Sequence, residues 1–253
     1  MKFDENAIVE SQKRLADGIY DMWIETGNIA EKAVPGQFVS VYSRDGSRLL
    51  PRPISICETD VRRLRIVYRV VGKGTEEFSR YKPGDRIRLV GPLGNGFPIK
   101  EGRRPILIGG GIGIPPMLEL AKRIYGDKEI VAGYRDSSTF LDRELKVYGK
   151  LTVATDDGSL GVHGTVIDAI RERGISGDII YACGPTPMLR AVKEYASEEG
   201  IEAWLSLEER MACGIGACLA CVCQTTEIDG HSQVRNRRVC ADGPVFNAAE
   251  VEL

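Results

Sequence analysis

The sequence predicts a multi-domain protein in which an antiparallel β-barrel is followed by an α/β domain with a parallel sheet and by a small cysteine-rich domain. Three observations support this fold class. Short β-like runs separated by turn signals fill the first hundred residues, strands and helices alternate over the next hundred, and periodicity is lost from about Ser206, where cysteines become frequent. The predicted domains are residues 1–100, 101–205 and 206–253.

The first domain is predicted to consist almost entirely of short strands. Pro35-Gly36 and Pro83-Gly84 mark turns, and only residues 75–81 have the pattern of a short helix. The predicted strands are IVESQKRL, GIYDMWIETG, GQFVSVYS, RPISIC, LRIVYRVV and DRIRLVG. Their spacing is typical of an antiparallel barrel or sandwich.

The second domain begins after the polar link IKEGRR and alternates strands with helices. The strand ILI (106–108) runs into a glycine loop, and a helix then begins at Pro115-Pro116 and ends at Gly126. The alternation continues with the strands EIVAGY, LTVAT and DIIYACG, and with helices near residues 142–148, over VIDAIRER and over PMLRAVKEYASEE. This order implies a parallel sheet with right-handed crossovers.

The composition is that of an ordinary globular protein. Hydrophobic residues make up 43% of the 253 residues, and 34 Lys plus Arg nearly balance 36 Asp plus Glu, which gives no electrostatic footprint for nucleic acid. The N-terminus lacks a signal-peptide pattern, and no stretch approaches the roughly 18 apolar residues of a membrane span. We therefore expect a cytoplasmic protein with no membrane partner, in which seven cysteines favour metal ligation over disulfides.

The third domain holds a set of cysteines with ligand spacing. Cys213, Cys218 and Cys221 stand as C-x4-C-x2-C, with Cys240 available as a fourth ligand, which is the spacing of plant-type [2Fe-2S] centres. A structural zinc ion also takes four thiolates and remains an alternative. Because the segment is too short to be stable by apolar burial, a metal core would supply that stability. Cys223 is surplus to four ligands and is interpreted as a small buried hydrophobic residue.

Two glycine-containing loops of the second domain are predicted to face one crevice. GGGIG (109–113) joins a strand to a helix, so its backbone can approach a pyrophosphate, although it departs from G-x-G-x-x-G. YACGPTPM (181–188) ends another strand of the same sheet, and ligands in such sheets lie outside the carboxyl ends of the strands. The candidate nucleotide-binding residues are Gly110, Gly111, Gly113, Cys183, Gly184 and Pro185, with Cys183 near a redox-active ring. A strand-end cysteine without such a role is the alternative.

The barrel carries arginines, a hydroxyl and a third glycine loop. RPIS (52–55) and VYRVVGKGT (67–75) would supply guanidinium groups for a diphosphate and polar groups for a flavin edge, although arginine on a strand is more often simply solvated. His163 and His231 are interpreted as ordinary loop residues, so classes of enzyme that need clustered histidines are disfavoured.

The order of the motifs RPIS, GKGT, GGGIGIPPM, CGPTPM and C-x4-C-x2-C resembles that of the ferredoxin-reductase superfamily. Within that superfamily, ATDDGSLGVHG (154–164) and ERMACGIGACLACVC (209–223) resemble the electron-transfer subunits of type B dihydroorotate dehydrogenases. The resemblance covers nearly the whole chain. The extra Cys223, and the segment between the third and fourth ligands with its basic RNRR (235–238), are departures from the pattern.

The resemblance implies a barrel that binds FAD, an α/β domain that receives NAD as a diffusible co-substrate, and a tail that holds [2Fe-2S]. The residues it implies at FAD are Arg52, Pro53, Ile54, Ser55, Val67, Tyr68, Arg69, Gly74 and Thr75. The ligands it implies for the cluster are Cys213, Cys218, Cys221 and Cys240.

The implied function is an electron conduit of pyrimidine biosynthesis. An FMN-containing catalytic subunit, paired with this chain in a heterotetramer of two of each, would oxidise dihydroorotate and send electrons through [2Fe-2S] and FAD to NAD+. A reductase subunit using NADH or NADPH and serving ferredoxin, a hydrogenase or an oxygenase is an alternative, as is a zinc-stabilised nucleotide-binding regulator. Asp136, Asp156 and Asp157 either repel a 2'-phosphate or are ordinary solvated loop carboxylates.

Overall fold

The computed structural model describes residues 1–228 and 233–253, so His231 lies outside the described residues. Six antiparallel strands close into a barrel in the order β1-β2-β5-β4-β3-β6, with β6 pairing back onto β1. This confirms the predicted barrel. The strands are β1 (Phe3–Ala16), β2 (Ile19–Glu25), β3 (Phe38–Tyr42), β4 (Arg52–Asp60), β5 (Arg63–Arg69) and β6 (Arg86–Leu93).

Two short helices accompany the barrel. Helix α2 (Lys73–Phe78) begins two residues before the predicted helix, and helix α1 (Asn28–Lys32) was not predicted. The Glu5 carboxylate on β1 accepts hydrogen bonds from the backbone N–H groups of Gly27 and Asn28, at 2.7 and 2.8 Å, and so satisfies donors at the start of α1. That contact joins residues more than 20 positions apart, which a local sequence pattern does not reveal.

The second sheet has seven strands in the order β10-β9-β8-β7-β11-β12-β15. Neighbouring strands run parallel except for β15, which pairs antiparallel with β12. The predicted parallel sheet is therefore confirmed, with an unpredicted antiparallel edge from the C-terminal segment. Its strands are β7 (Pro105–Gly110), β8 (Glu129–Tyr134), β9 (Lys150–Thr155), β10 (Val162–His163), β11 (Ile179–Cys183), β12 (Glu202–Ser206) and β15 (Val245–Asn247).

Four helices cover the sheet, and the remaining two strands belong to the C-terminal segment. The helices are α3 (Pro115–Arg123), α4 (Asp142–Tyr148), α5 (Val166–Arg173) and α6 (Thr186–Glu198), and the strands β13 (Val222–Gln224) and β14 (Asn236–Arg238) form a hairpin. Helices α3 and α4 share a core with the barrel, whereas α5 and α6 share one with the cysteine-rich segment. Within the described residues, every helix is too short or too polar to span a bilayer.

Helix α3 lies between the sheet and the barrel, and its first seven residues are all buried. One of them is Glu119, which is 1% exposed. Its carboxylate accepts hydrogen bonds from the Thr59 backbone N–H at 3.1 Å, from the Thr59 hydroxyl at 3.0 Å and from Arg123 Nε at 2.8 Å. Because a buried carboxylate without partners is costly, these bonds favour one orientation of the helix on strand β4.

A buried arginine adds a second polar connection between the barrel and the sheet. Arg65 on β5 is 2% exposed and donates from Nε and Nη2 to the two carboxylate oxygens of Asp21, both at 2.9 Å. The same guanidinium reaches Glu58 at 3.0 Å and Glu144 on α4 at 3.0 Å. Burial opposes protonation, but the hydrogen bonds that Arg65 donates to Glu144 and Asp21 outweigh it and raise the pKa of Arg65 far above its usual value.

We predict that Arg65→Leu destabilises the protein by about 3–5 kcal/mol, because it leaves the buried Asp21 carboxylate without its main partner. Urea unfolding followed by fluorescence measures the change. Arg63→Leu is the matched control, since Arg63 lies two residues away with its side chain 46% exposed. Equal unfolding midpoints for the two variants would contradict the assignment.

Candidate functional site

Three of the four predicted ligand cysteines, Cys213, Cys218 and Cys221, lie in one loop of the cysteine-rich segment. The β13–β14 hairpin returns the chain to this loop at Cys240. Pairing of β13 with β14 places Cys240 beside Cys221, where the Cys240 N–H donates to Cys221 Sγ at 3.4 Å. In the loop, Cys213 Sγ accepts hydrogen bonds from the N–H groups of Ile215 at 3.4 Å and Ala217 at 3.3 Å. Gly214 and Gly216 adopt φ values of 68° and 89°, which allow the chain to curl around the sulfur.

The cysteine sulfurs are close enough to change each other's pKa values. Burial opposes ionisation of Cys213, but hydrogen bonds from the Ile215 N–H, the Cys218 thiol and the Ala217 N–H outweigh it and lower the Cys213 pKa to about 6. Burial and the neighbouring Cys221 sulfur raise the pKa of Cys240 to about 12. A thiol such as Cys240, whose ionisation is opposed by burial and by a neighbouring sulfur, is stabilised as a thiolate when a metal takes up its charge.

The four cysteines form two contacting pairs, Cys213 with Cys218 and Cys221 with Cys240. Over residues 1–228 and 233–253, no three His, Cys, Asp or Glu side chains are grouped closely enough to hold a single metal ion. Two pairs of thiols with backbone N–H groups directed at sulfur fit a two-iron centre, because each iron takes two thiolates and the N–H groups stabilise the sulfur charge.

Cys223 is directed away from these pairs. It is 9% exposed, belongs to a hydrophobic core cluster, and its thiol donates to the Arg237 carbonyl oxygen at 3.5 Å. Burial raises its pKa to about 11, so the thiol is neutral near pH 7. These observations agree with the interpretation of Cys223 as a buried hydrophobic residue.

The cysteine segment contacts the barrel at two places. A β-carbon at Gly214 would lie 2.8 Å from Ser40 Oγ, so the loop backbone lies directly on strand β3. Asn95, which follows β6, forms an isolated parallel bridge with Pro244. Ser40 is opposite Pro53 in the β3–β4 register, so the first contact is beside the RPIS motif.

On the barrel, the RPIS and GKGT motifs meet through Arg52 and Gly74. A β-carbon at Gly74 would lie 2.4 Å from Arg52 Nε, so the guanidinium occupies the space that the glycine leaves. Among the described residues, Arg52 hydrogen-bonds the Leu50 carbonyl and pairs with no carboxylate. The Thr75 hydroxyl accepts from the N–H groups of Val71 and Gly72 at 3.0 and 3.2 Å and holds the loop in shape. A half-exposed guanidinium without a carboxylate suits a phosphate.

Strand alternation divides the other predicted flavin residues between two faces. Pro53 is exposed and Ser55 is half-buried, whereas Ile54 belongs to the barrel core. Val67 packs in the core shared with α3, and Tyr68 is 2% exposed inside the barrel, with its hydroxyl donating to Gln12 Oε1 at 2.9 Å. The side chains of Ile54 and Tyr68 therefore point away from the barrel surface, which leaves their backbone atoms for any contact with a ligand there.

The two glycine loops of the sheet lie side by side at its topological switch point. The chain leaves β7 toward β8 on one side and returns to β11 on the other, and Cys183 is opposite Gly109 in the β7–β11 register. A β-carbon at Gly113 would lie 2.3 Å from the Cys183 carbonyl oxygen, and one at Gly110 would lie 2.4 Å from Met188 Sδ. These glycines permit close packing of the loops, at the edge where such sheets bind nucleotides.

Arg69 brings the barrel to the first of these loops. Gly111 has a φ of 52°, and a β-carbon there would lie 3.7 Å from Arg69 Nη2. Neither a hydrogen bond nor an ion pair engages the exposed Arg69 side chain within residues 1–228 and 233–253. The guanidinium thus stands between the barrel and the nucleotide loop as an unneutralised cation. Gly184 and Pro185 follow Cys183 at the same edge, where Pro185 is exposed.

Cys183 is a buried, neutral thiol at this edge. It is 8% exposed, and burial raises its pKa to about 12, partly offset by a hydrogen bond with the Ser206 hydroxyl on β12. The acidic residues of the neighbouring loops are solvent-exposed or half-exposed: Asp136 accepts from the Ser138 N–H at 2.8 Å and Asp157 from the Ser159 N–H at 2.9 Å. These local bonds lower the pKa of both carboxyl groups, which are ionised near pH 7.

Four residues at the site were not identified from the sequence: Ser40, Asn95, Ser206 and Arg238. Arg238 forms an ion pair with Asp242 at 2.9 Å and donates to the Gly216 carbonyl oxygen at 3.1 Å. Asn95 stands between two glycines in the sequence GNG, and this pattern could have identified it as a candidate site residue. Ser40 and Ser206 lie in ordinary strand patterns, which give no such signal.

The comparisons with known proteins agree with this geometry. A model of the iron-sulfur cluster binding domain of dihydroorotate dehydrogenase B matches residues 208–252, which include all four paired cysteines. The chain is 44% identical over 263 residues to the dihydroorotate dehydrogenase B (NAD(+)) electron transfer subunit of Geobacillus sp. (strain WCH70), with 100% of both chains covered. It is also 44% identical over 259 residues to that of Bacillus caldolyticus, with 98% of both covered. A solved structure of an NADH-dependent reduced ferredoxin-NADP oxidoreductase is 31% identical, with a TM-score of 0.88, 98% of this chain and 90% of that chain covered.

Proposed function

The chain belongs to the family of dihydroorotate dehydrogenase B (NAD(+)) electron transfer subunits, and on that premise we propose that it carries electrons from an FMN-containing catalytic subunit, through [2Fe-2S] and FAD, to NAD+. It is an NAD-linked oxidoreductase subunit of pyrimidine biosynthesis. The catalytic partner oxidises dihydroorotate, and this chain contributes the electron path to the nicotinamide.

The observation that carries the proposal is the meeting of three loops on neighbouring strands of the barrel. The cysteine loop lies on Ser40 of β3, the Arg52 guanidinium of β4 lies against Gly74, and Arg69 at the end of β5 lies beside Gly111. Strands β3, β4 and β5 are hydrogen-bonded neighbours. A flavin held at β4 would therefore have the cluster on one side and the nicotinamide nucleotide on the other.

The chain's own residues have separate tasks in this arrangement. When bound, FAD exchanges a hydride with the nicotinamide and single electrons with the [2Fe-2S] centre. Arg52 and Arg69 supply cationic charge for phosphate groups, and Ser55 offers a hydroxyl at the barrel surface. The loops at 109–113 and 183–185 supply backbone for the dinucleotide, and Cys183 contributes a neutral, apolar wall. The chain needs no general base for this transfer.

Thiolate ligation of the cluster is assigned to Cys213, Cys218, Cys221 and Cys240. The two contacting pairs and the sulfur-directed N–H groups support this set, and the separate hydrogen bond of Cys223 to the Arg237 carbonyl supports its exclusion.

A reductase that serves another acceptor is the second candidate. The similarity to the NADH-dependent reduced ferredoxin-NADP oxidoreductase favours it, since that protein covers nearly the whole chain. Identity to that protein is 31%, against 44% to the dihydroorotate dehydrogenase B subunits, which cover the chain end to end. We therefore favour the dihydroorotate-linked function.

The proposed partner-binding surface is the apolar surface of the cysteine loop, which consists of Ile215, Leu219, Val222 and Ile228. These side chains are 48%, 62%, 37% and 59% exposed. Exposed apolar side chains in the segment that carries the cluster cysteines favour a protein partner there. We propose a heterotetramer of two catalytic and two electron-transfer subunits, and a cytoplasmic location that is supported by seven unpaired cysteines.

The division into domains at residues 1–100, 101–205 and 206–253 is retained as a proposal. Closure of the barrel by residue 93, the start of the sheet at Pro105 and the family match from residue 208 support it. Pairing of β15 with β12 means that the last domain would not separate freely from the second.

We predict that Cys218→Ser removes the cluster and leaves the flavin, because oxygen is a poorer ligand for iron than thiolate. Absorption and EPR spectra of anaerobically purified protein, with iron, acid-labile sulfide and zinc analysis, measure the outcome. Cys223→Ser is the control and should keep a full cluster. Zinc without iron in the unmodified chain would refute the electron-conduit function.

We predict that Arg52→Ala weakens FAD binding by about 10- to 100-fold, because it removes a charge-assisted hydrogen bond to phosphate. Flavin content after gel filtration and titration of the flavin-free protein measure the loss. Arg62→Ala, on the exposed turn between β4 and β5, is the control. Unchanged flavin affinity in the Arg52 variant would count against a flavin site on the barrel.

We predict that Leu219→Asp raises the dissociation constant for the catalytic subunit by about tenfold or more, because a charge replaces an apolar contact. Leu219 has a φ of 58°, which aspartate tolerates better than leucine, so the backbone should be preserved. Light scattering of the mixed subunits gives the stoichiometry and affinity. Tyr125→Asp is the control, because the Tyr125 side chain lies on the α/β domain and is 96% exposed. Full assembly of the Leu219 variant would remove this surface from consideration.

A further inference from the structure

We propose that Gly94 and Asn95 are positioning residues that fix the cluster-bearing segment at its place on the flavin barrel. Both residues follow strand β6, and both contact the Cys240 turn, defined here as residues 238–244. The proposal rests on the proposed function, since it presupposes that the chain holds both FAD and the cluster.

Asn95 donates to three consecutive carbonyl groups of the Cys240 turn. Its side-chain Nδ2 donates to the carbonyl oxygens of Ala241 at 3.3 Å and Asp242 at 2.9 Å, and its backbone N–H donates to that of Gly243 at 2.6 Å. These carbonyls belong to the residues directly after the ligand Cys240. The hydrogen bonds therefore act on the turn that carries the fourth thiolate, without involving the thiolate itself.

Gly94 brings the two backbones into direct contact. Its φ is 73°, and a β-carbon there would lie 2.4 Å from Pro244 Cδ and 2.8 Å from the Gly243 carbonyl oxygen. The Gly94 carbonyl oxygen accepts a hydrogen bond from Gln37 Nε2 at 2.7 Å. Gln37 directly precedes β3, and β3 pairs with β4, the strand that carries the RPIS motif. The Cys240 turn is therefore connected to the predicted flavin strand through Gly94, Gln37 and the β3–β4 pairing.

The other side of the Cys240 turn is joined to the remaining ligands. The Arg238 guanidinium pairs with both carboxylate oxygens of Asp242 at 2.9 Å and donates to the Gly216 carbonyl oxygen at 3.1 Å. Gly216 lies between Cys213 and Cys218. The four cysteines are thus held together by bonds inside the segment, whereas Asn95 and Gly94 hold the segment to the barrel.

This separation of tasks predicts a specific effect. Weakening the Asn95 contact should allow the Cys240 turn, with the cluster attached to it, to shift on the barrel while the cluster stays intact. Electron transfer between two fixed centres depends steeply on their separation, so a displaced cluster should exchange electrons with the flavin more slowly. Asn95 is exposed, so loss of its side chain should have little effect on overall stability.

The test uses the FAD- and cluster-loaded protein with the variants Asn95→Ala and Asn95→Asp. Iron, sulfide and FAD contents, the cluster reduction potential and the rate of flavin reduction by NADH should match the unmodified protein. The rate at which electrons reach the cluster, followed by stopped-flow absorption, should fall several-fold in Asn95→Ala, and further in Asn95→Asp, because its carboxylate repels two carbonyl oxygens. Backbone amides of residues 241–246 should exchange hydrogen faster. Asn28→Ala, at an exposed position of helix α1, is the control.

A second pair of variants tests the contact without relying on hydrogen bonds. Gly94→Ala places a methyl group against Pro244, whereas Gly84→Ala imposes a similar backbone strain at a φ of 90° with no atom within 4 Å. Slower electron transfer to the cluster in Gly94→Ala, but not in Gly84→Ala, would support positioning.

Two results would overturn the proposal: an unchanged rate in both Asn95→Asp and Gly94→Ala, or loss of iron in proportion to the loss of rate, which would make the residues necessary for cluster retention. An unmodified protein without FAD or iron would instead refute the proposed function.

Discussion

The hydrogen bonding of a buried carboxylate governs how the two large parts of this protein fit together. Helix α3 is buried between the barrel and the sheet, and Glu119 within it finds its partners on Thr59 of strand β4. Apolar packing alone would allow the helix to slide or rotate on the barrel at little cost, whereas a buried charge is stable only where its acceptor oxygens meet donors. The buried Arg65 guanidinium constrains the packing in the same way, because it donates a hydrogen bond from the barrel to Glu144 of α4. The orientation of the GGGIG and YACGPTPM loops toward the barrel follows from these two connections.

The barrel then serves as the common platform for the candidate electron path. Its strands β3, β4 and β5 present successive contacts to the cysteine loop, to the GKGT loop and to the GGGIG loop. Each contact occurs at a glycine. A side chain at Gly214 or Gly74 would collide with Ser40 or Arg52, and Gly111 adopts a left-handed φ of 52°. The same glycines that allow a ligand to approach the backbone therefore also bring the segments close to each other.

Charge distribution distinguishes the structural arginines from those available to a ligand. Arg65 is surrounded by carboxylates in the interior and serves the interface. Arg52 and Arg69 lie at the barrel surface and lack carboxylate partners among the described residues, so their charge is available for phosphate groups. In the cysteine segment, backbone N–H groups directed at sulfur and the contact of thiols in pairs prepare the site for negative charge that iron would neutralise.

The sequence by itself determined the features that depend on local patterns. The six barrel strands, the strand and helix alternation, helix α4 at residues 142–148 and the spacing of the four ligand cysteines all follow from periodicity, turn residues and motif order, which act over a few neighbouring positions. The tertiary structure decided the rest. Helix α1 depends on Glu5, and strand β15 depends on the free edge of β12. The inward direction of the Tyr68 side chain depends on the pairing register of β5. The attachment of the turn that contains Cys240 depends on Asn95, which lies 145 positions before Cys240 in the chain. Each of these outcomes is set by a contact between residues distant in sequence, and such contacts form only when the folded chain brings unsatisfied donors, acceptors and strand edges together.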